Sequence, residues 1–525
     1  MTHLLAIDVG TLSARAGVFD ATGRLLAVHS ASFALMHPAE HHAVYRMDEI
    51  WAAVCAATRG ALAACPGPVA GIAIDAMSST YVEASGPRPL DGDADVFCWM
   101  DHRGEREAEE IAATKDRYLA HVGGTLSPEM YLPKLLWLKR HRPETWARVT
   151  AVRDLSDEIA RRATGLDRHS VCGLACKFPY LPGDAEPWRH GLLATIGLSE
   201  LPRLGALNQR PGRVGEVHGP LSAEGGAAMG LPAGVPLAFG LIDAEAGALG
   251  SVGRDFRAHM NRTLALIGGT STCYISFARD ERPISGVWGP FKDAVFGGYW
   301  MHEAGQSYSG AALDAVLAQH PASPGKPGAQ LHAQTAAEIL EHLEREGPAF
   351  GSQRHILPDW LGNRAPLGDG AVRALATGLG LETGRRAFLG HYYATARALA
   401  LQSRQIIEHM NRHGYEFSRV CLSGGHLKNP LLVKLYTDAM GVDLVICDSA
   451  EPVLLGTAVV AAMAAGLHGD LFAALDAMSP GASVRRADPR WARAHESAYQ
   501  TYLKLFELRN QIEAAGRDMG RGWDH

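Results

Sequence analysis

LLAIDVGTLSARAGVFD (residues 4–20) and TLALIGGTSTCYISFA (residues 263–278) are two versions of one pattern. Each reads as an apolar strand, a Gly-Thr turn and a second strand. Laid over each other, Gly10 falls on Gly269, Thr11 on Thr270 and Ser13 on Thr272. In such a turn, backbone N–H groups and a hydroxyl can point at phosphate, and glycine lets the backbone come close. One such turn is commonplace in α/β proteins. Two in register, opening the two halves of a chain, imply a duplicated fold that closes on a nucleotide. The copies differ usefully, because Asp8 stands where the second copy has Ile267. A carboxylate in only one turn fits a division of labour: one turn manages a metal–phosphate unit, the other cradles phosphate.

Working outward, 525 residues suit two domains of about 250 residues each. The boundary is expected between residues 247 and 257, giving domains 1–250 and 251–525. In the first half, strands are expected at residues 4–7, 14–19, 25–30 and 69–74, with a helix over Met47–Ala64 carrying Trp51, Val54 and Cys55 at helical spacing. Hairpins followed by a crossover do not make a plain Rossmann βαβ unit. A less regular region, residues 86–220, holds the WMDHR segment (residues 99–103) and helices near 134–141 and 157–164. The second half repeats the logic. Strands at 264–267 and 273–277 precede a long helix at 388–412, a strand at 420–422 running into Ser423-Gly424-Gly425-His426, a helix at 430–440 and a closing helix at 451–465. Residues 321–330 read as a surface loop.

A charged fraction of 20%, a hydrophobic fraction of 47% and a net charge of −6 describe a soluble globular protein with no nucleic-acid partner. The eight cysteines are scattered, and Cys172 and Cys176 lack both zinc-finger spacing and a second pair, which points to reduced thiols in a cytoplasmic enzyme. The chain enters its first strand almost at once, so no secretory signal is expected. The longest apolar run, residues 453–467, is shorter than a bilayer span and contains Gly456 and Gly466, so it reads as a buried helix and no membrane partner is expected. Two HxxxH pairs, His37/His41 and His409/His413, lack a third ligand and read as surface histidines.

Further segments carry a resemblance. Gly-Leu-Ile-Asp-Ala-Glu-Ala-Gly (240–247), Gly-Gly-Thr-Ser (268–271), Glu-Ala-Gly-Gln-Ser (303–307) and Gly-Gly-His-Leu-Lys-Asn-Pro (424–430) together resemble the FGGY family of carbohydrate kinases, within the actin-like ATPase superfamily. The likeness runs from Asp8-Val-Gly10-Thr11 to residues 455–458. Asp-Ala-Met-Ser-Ser-Thr (75–80), WMDHR and Cys176-Lys177 look most like pentulose kinases of the ribulokinase type. The resemblance implies an α/β fold of two actin-like (ribonuclease H-like) domains, each a mixed sheet flanked by helices, with the active-site cleft between them. It implies ATP and Mg²⁺, with ATP mainly on the second domain, and a sugar mainly on the first. Two departures stand out. Residues 130–137 match a family signature chiefly through Lys134 and Trp137, and His426 occupies a position where many relatives have a small residue.

Asp243 is the expected catalytic base. A sugar hydroxyl is a poor nucleophile, so a carboxylate within reach must take its proton; an Asp here could equally cap the helix that follows. Asp8 is expected to hold Mg²⁺ through water or to orient the γ-phosphate, since Mg²⁺ keeps several waters. Thr11 and Ser13 follow on the same hairpin, and Arg15 divides evenly between a phosphate contact and an ordinary surface residue. Gly268, Gly269, Thr270 and Ser271 should cradle phosphates; Gly424, Gly425 and Asn429 should lie against the nucleotide, with Gly310 a weaker contact. Asp75 ends a buried strand, which is unfavourable unless paired or wet, and with Ser78 it is expected at the sugar. The resemblance adds Lys177 and Glu303 as sugar contacts, and Asp101, His102 and Arg103 of WMDHR are either sugar contacts or a structural salt-bridge cluster, with the structural reading preferred.

The expected reaction is phosphorylation of a free pentulose, D-ribulose to the 5-phosphate. Ribitol, L-ribulose and xylulose are the alternative acceptors. A chaperone-like ATPase and a non-catalytic sugar sensor are the alternatives from other classes. Oligomeric state, a homodimer included, is left open.

Overall fold

The computed structural model describes residues 2–521, and side chains through residue 516. The strand His3–Val9 is buried along its whole length, so its uninterrupted apolar run places it at the centre of a sheet. It pairs antiparallel with Ser13–Phe19, which pairs antiparallel with Leu25–Ser32. The helix Met47–Ala64 then lays Ile50, Val54, Ala57 and Ala61 on the sheet and returns the chain to Val69–Ala76, parallel to His3–Val9. Pro236–Ala238 and Val217–Pro220 extend that side, and the two-residue strand Leu241–Ile242 joins the end of Val69–Ala76.

The second sheet repeats this centre. Thr263–Gly268 pairs antiparallel with Thr272–Ala278 and parallel with Arg419–Gly424, as His3–Val9 does with its two neighbours. Trp288–Lys292 and Trp300–Gln306 flank one side; Asp443–Cys447 and Ala482–Arg485 flank the other. The two seven-stranded sheets at the core of this α/β fold are therefore built on one duplicated plan.

The halves interlock through two helices. Asp243–Ser251, at the end of the first half, crosses Pro452–Ala464, which belongs to the second half by sequence yet packs on the first sheet. The crossing is tight. A Cβ on Gly250 would sit 1.8 Å from the Pro452 carbonyl, and one on Gly456 would sit 2.0 Å from that of Ala246. This contact fixes the start of the helix that carries Asp243.

Three expectations change. Residues 86–220 are more ordered than their sequence suggests: Val96–Phe97 and Val149–Asp154 join the earlier Val44–Tyr45 and Thr80–Ala84 in a four-stranded sheet, and the region also holds helices Tyr131–His141, Leu155–Thr164 and Val171–Lys177. The 321–330 loop ends early, because a helix begins at Ala329 and runs to Glu346. The helix near 451–465 does not close the fold; Pro489–Arg521 follows, burying Trp491, Tyr499 and Tyr502. No helix among the described residues is long and apolar enough to cross a membrane.

Candidate active site

Parallel strands of each sheet deliver their C-terminal ends to one cavity of about 300 Å³ between the halves. That is the position where open α/β sheets bind ligands. Asp8 and Asp75 are register partners on adjacent strands, and Leu241 pairs with Asp75 just before Asp243. Across the cavity, Gly268 and Gly424 are register partners in the second sheet.

The glycine turns line one end. Gly10, Thr11, Gly268, Gly269, Thr270, Ser271, Gly424 and Gly425 all face the cavity. Each hairpin turn is closed in the same way: the Gly10 N–H donates to the Ser13 carbonyl at 3.0 Å, and the Gly269 N–H to the Ser271 carbonyl at 2.8 Å. Gly424 has φ 84° and lies so close to Gly268 that a Cβ would stand 2.4 Å from its carbonyl oxygen. Only glycine fits there.

Three expected nucleotide contacts do not line the cavity. Ser13 spends its carbonyl closing the first turn. Gly310 packs behind the second turn, its N–H on the Gly269 carbonyl at 3.1 Å. Asn429 caps the helix Pro430–Ala439: its Oδ1 accepts from Leu431 and Leu432, and its amide donates to the Tyr392 hydroxyl at 3.0 Å. The fold thus engages both the oxygen and the nitrogen of that side chain. His426 is buried rather than offered to a ligand. Burial lowers its imidazole to about 4, so the ring is neutral. Its Nε2 lies 3.0 Å from the Gly269 carbonyl and its Nδ1 3.1 Å from the Tyr436 hydroxyl. With Nε2–H donating and Nδ1 accepting, the ring ties the two glycine turns together.

At the centre, Asp8 is almost wholly buried and ion-paired with Arg15, which also reaches Glu451 at 2.8 Å. Arg15 lines the cavity with its guanidinium paired to these two carboxylates. Asp75 is fully buried outside the cavity lining, accepts the Thr457 hydroxyl, and is pushed well above its ordinary pKa by burial and then by the charge of Asp8. It is register partner to Asp8 on the neighbouring strand, and its Oδ1 has no hydrogen-bond partner. Asp243 is the first residue of its helix, one position inside the cap, with its Oδ1 accepting the Ala244 N–H at 2.8 Å. Burial, and then the charge of Asp8, raises it to about 7. The hard carboxylate oxygens facing the cavity here, from Asp8 and Asp243, suit Mg²⁺ held chiefly by phosphates and water.

The far end is a polar wall. Glu303 receives the Arg364 guanidinium at 2.5 Å and has the Lys177 ammonium at 3.6 Å. Burial alone would raise the Glu303 carboxyl; Lys177 and Arg364 outweigh it and hold it below its ordinary value. Glu129 lies 3.8 Å from the same guanidinium. Both cations lie over the Trp288 ring, Arg364 at 3.9 Å and Lys177 at 4.6 Å from its centroid. Ser78 and Trp99 also line the cavity, the Trp99 indole N–H donating to the Thr11 hydroxyl at 3.3 Å. Glu245, two residues past Asp243, is buried beside Cys172 and Cys176 and is raised to about 8 by burial and then by Glu303.

Arg364 and Glu129 were not legible as site residues. Both come from irregular stretches without periodicity; a lone Arg in the Gly-Asn-Arg-Ala-Pro loop, residues 362–366, is the only hint. WMDHR proves mainly structural: Arg103 is bidentate on Asp101 and stacks on Phe97 and Trp137. Lys134, fully buried, donates to the carbonyls of Cys98, Trp99 and Glu129, so the loosely matching signature helix anchors two loops that line the cavity.

Comparison with known proteins agrees with this geometry. Residues 3–250 match the N-terminal domain, and residues 264–465 the C-terminal domain, of the FGGY family of carbohydrate kinases. A human FGGY carbohydrate kinase domain-containing protein is 33% identical, covering 98% of each chain. A Saccharomyces cerevisiae protein named D-ribulokinase is 32% identical over 88% of this chain and 71% of its own. In fold, the chain resembles a ligand-bound xylulose kinase from Lactobacillus acidophilus, with a TM-score of 0.80 at 18% identity over 98% of this chain and 99% of that one.

Proposed function

Since this chain belongs to the FGGY family of carbohydrate kinases and is an ATP-dependent sugar kinase, we propose that its acceptor is D-ribulose and its product D-ribulose 5-phosphate. One observation carries the reading: Asp243 lines the same cavity as the glycine turns and the Lys177, Glu303 and Arg364 side chains, its carboxyl at about 7. The likeness to a protein named D-ribulokinase favours this pentulose.

In this reading the turns at Gly268–Ser271 and Gly424–Gly425 hold the ATP phosphates, mainly from the second unit, residues 251–525. The first unit, residues 1–250, supplies Asp243, Ser78 and Lys177 to the sugar, and Glu303 reaches it from the second. Asp243 accepts the proton of the 5-hydroxyl as that oxygen bonds to the γ-phosphorus and the bond from phosphorus to the β,γ-bridging oxygen breaks, releasing ADP. A base near 7 is well matched to work at neutral pH. Mg²⁺, when bound with the phosphates, neutralises charge on their oxygens, and Asp8, oriented by Arg15, would hold it through water. Closure of the cleft excludes water that would otherwise take the phosphoryl group. The eight unpaired cysteines favour a reducing compartment, the cytoplasm.

The test is kcat/KM across D-ribulose, L-ribulose, D-xylulose, L-xylulose, ribitol and glycerol with Mg-ATP, with the product examined by phosphorus NMR. A preference for D-ribulose and a 5-phosphate product are expected. A higher kcat/KM for another acceptor would replace the assignment, and no sugar-dependent ADP release would remove it.

A further inference from the structure

Arg364 is held more firmly than a salt-bridge partner needs to be. Its side chain is 9% exposed, its guanidinium lies 3.9 Å from the Trp288 ring centroid, and its other side rests on Gly305. A Cβ at Gly305 would stand 2.6 Å from the Arg364 Cδ and 3.0 Å from Nη1. The glycine of the Glu-Ala-Gly-Gln-Ser segment therefore makes the slot in which the planar group lies. A guanidinium has five N–H donors and no acceptor. Here Nη2 donates to Glu303, Nη1 finds only the Cys273 sulfur at 3.9 Å, and Nε has no partner. The residue lines the cavity with donor capacity left over.

The chemistry of the acceptor says what that capacity is for, on the pentulose reading above. A 2-pentulose closes its ring through the 5-hydroxyl, so a molecule with that hydroxyl free for phosphorylation is the open chain, with a free carbonyl at C2. A ketone oxygen only accepts hydrogen bonds. Of the remaining wall groups, Glu303 and Glu129 are acceptors suited to hydroxyl donors, and Lys177, the other donor, is turned to Glu303 at 3.6 Å and lies over the Trp288 ring. We propose that Arg364 is a specificity-determining residue that donates through Nη1 to the C2 carbonyl of the open-chain ketose, and so distinguishes pentuloses from pentitols. A pentitol offers a hydroxyl at that position, whose own proton then needs a further acceptor.

The test uses Arg364→Lys, which keeps a cation beside Glu303 but loses the planar fork, and Gly305→Ala, which keeps the arginine but pushes it from its slot. For each, kcat/KM for D-ribulose, the KM for ATP and the competitive inhibition constant of ribitol are measured. Losing a charged hydrogen bond to the ketone should lower kcat/KM for D-ribulose about 10- to 100-fold. The ribitol constant should change by less than about threefold, as should the KM for ATP. Gly305→Ala should shift D-ribulose in the same direction and decides the matter if Arg364→Lys does not fold. Equal weakening of D-ribulose and ribitol, or no change in either, would overturn the proposal. Wild-type enzyme inactive on every pentulose would instead overturn the pentulose reading on which it rests.

Discussion

Replacing Asp243 by Asn separates what this carboxylate does for the reaction from what it costs the fold. In the folded chain its pKa rises from 3.8 to about 7, by burial and by the nearby charge of Asp8. A rise of about three units corresponds to about 4 kcal/mol between charged and neutral forms. The carboxylate opens onto the cavity, and water there reduces the figure to about 1–2 kcal/mol. The sign follows from proton binding. Between about pH 4 and pH 7 the folded chain keeps a proton that the unfolded chain loses, so stability falls as pH rises through that window, and the whole penalty is present by pH 8. Asn cannot ionise. Asp243→Asn should therefore be more stable than wild type at pH 8 by about 1–2 kcal/mol, with the gain shrinking towards zero near pH 4. Sugar phosphorylation should fall by a factor of about 10² to 10⁴ while ATP affinity is retained. Urea denaturation at pH 5 and pH 8, beside a coupled ADP-release assay, reads both. A variant destabilised equally at both pH values would refute the electrostatic reasoning, and retained turnover would refute the base assignment.

Glu303→Ala removes the carboxylate placed between Lys177 and Arg364 and should raise the acceptor KM about tenfold or more, leaving the ATP KM unchanged; steady-state kinetics in both substrates check this. Gly310→Ala places a Cβ 2.4 Å from the Gly269 carbonyl oxygen, a backbone atom that can yield only by moving the phosphate turn, so the ATP KM should rise and the sugar KM stay. The pH profile of kcat/KM for the acceptor should climb with unit slope to a plateau above about 7, set by Asp243; a limb that persists unchanged in a residual-activity Asp243 variant would assign it elsewhere. Chelation of divalent metal should abolish turnover, and added Mg²⁺ should restore it.

The duplicated hairpin was legible because its apolar runs are long, buried and placed in register by the Gly-Thr turns. The helix Met47–Ala64 was legible from its period, although no side chain caps it. The four-stranded sheet was not, since its strands run two to six residues and too little alternates in them to make a pattern. Asp75 and Asn429 carried the right residue types at the right ends of strands. What sequence could not show was that Thr457 binds one carboxylate oxygen of Asp75, and that a helix cap and Tyr392 engage the Asn429 amide. Arg364 shows the converse, a loop residue 61 positions from Glu303 that only the fold brings against it.

The central claim is that Asp243 drives phosphoryl transfer to a pentulose. It is tested most directly by ADP release from Mg-ATP with and without D-ribulose, in wild type and Asp243→Ala. The account predicts ADP release that depends on D-ribulose in wild type and falls at least about 100-fold in the variant, with ATP still bound. Release that is indifferent to the sugar, or undiminished in the variant, would contradict it.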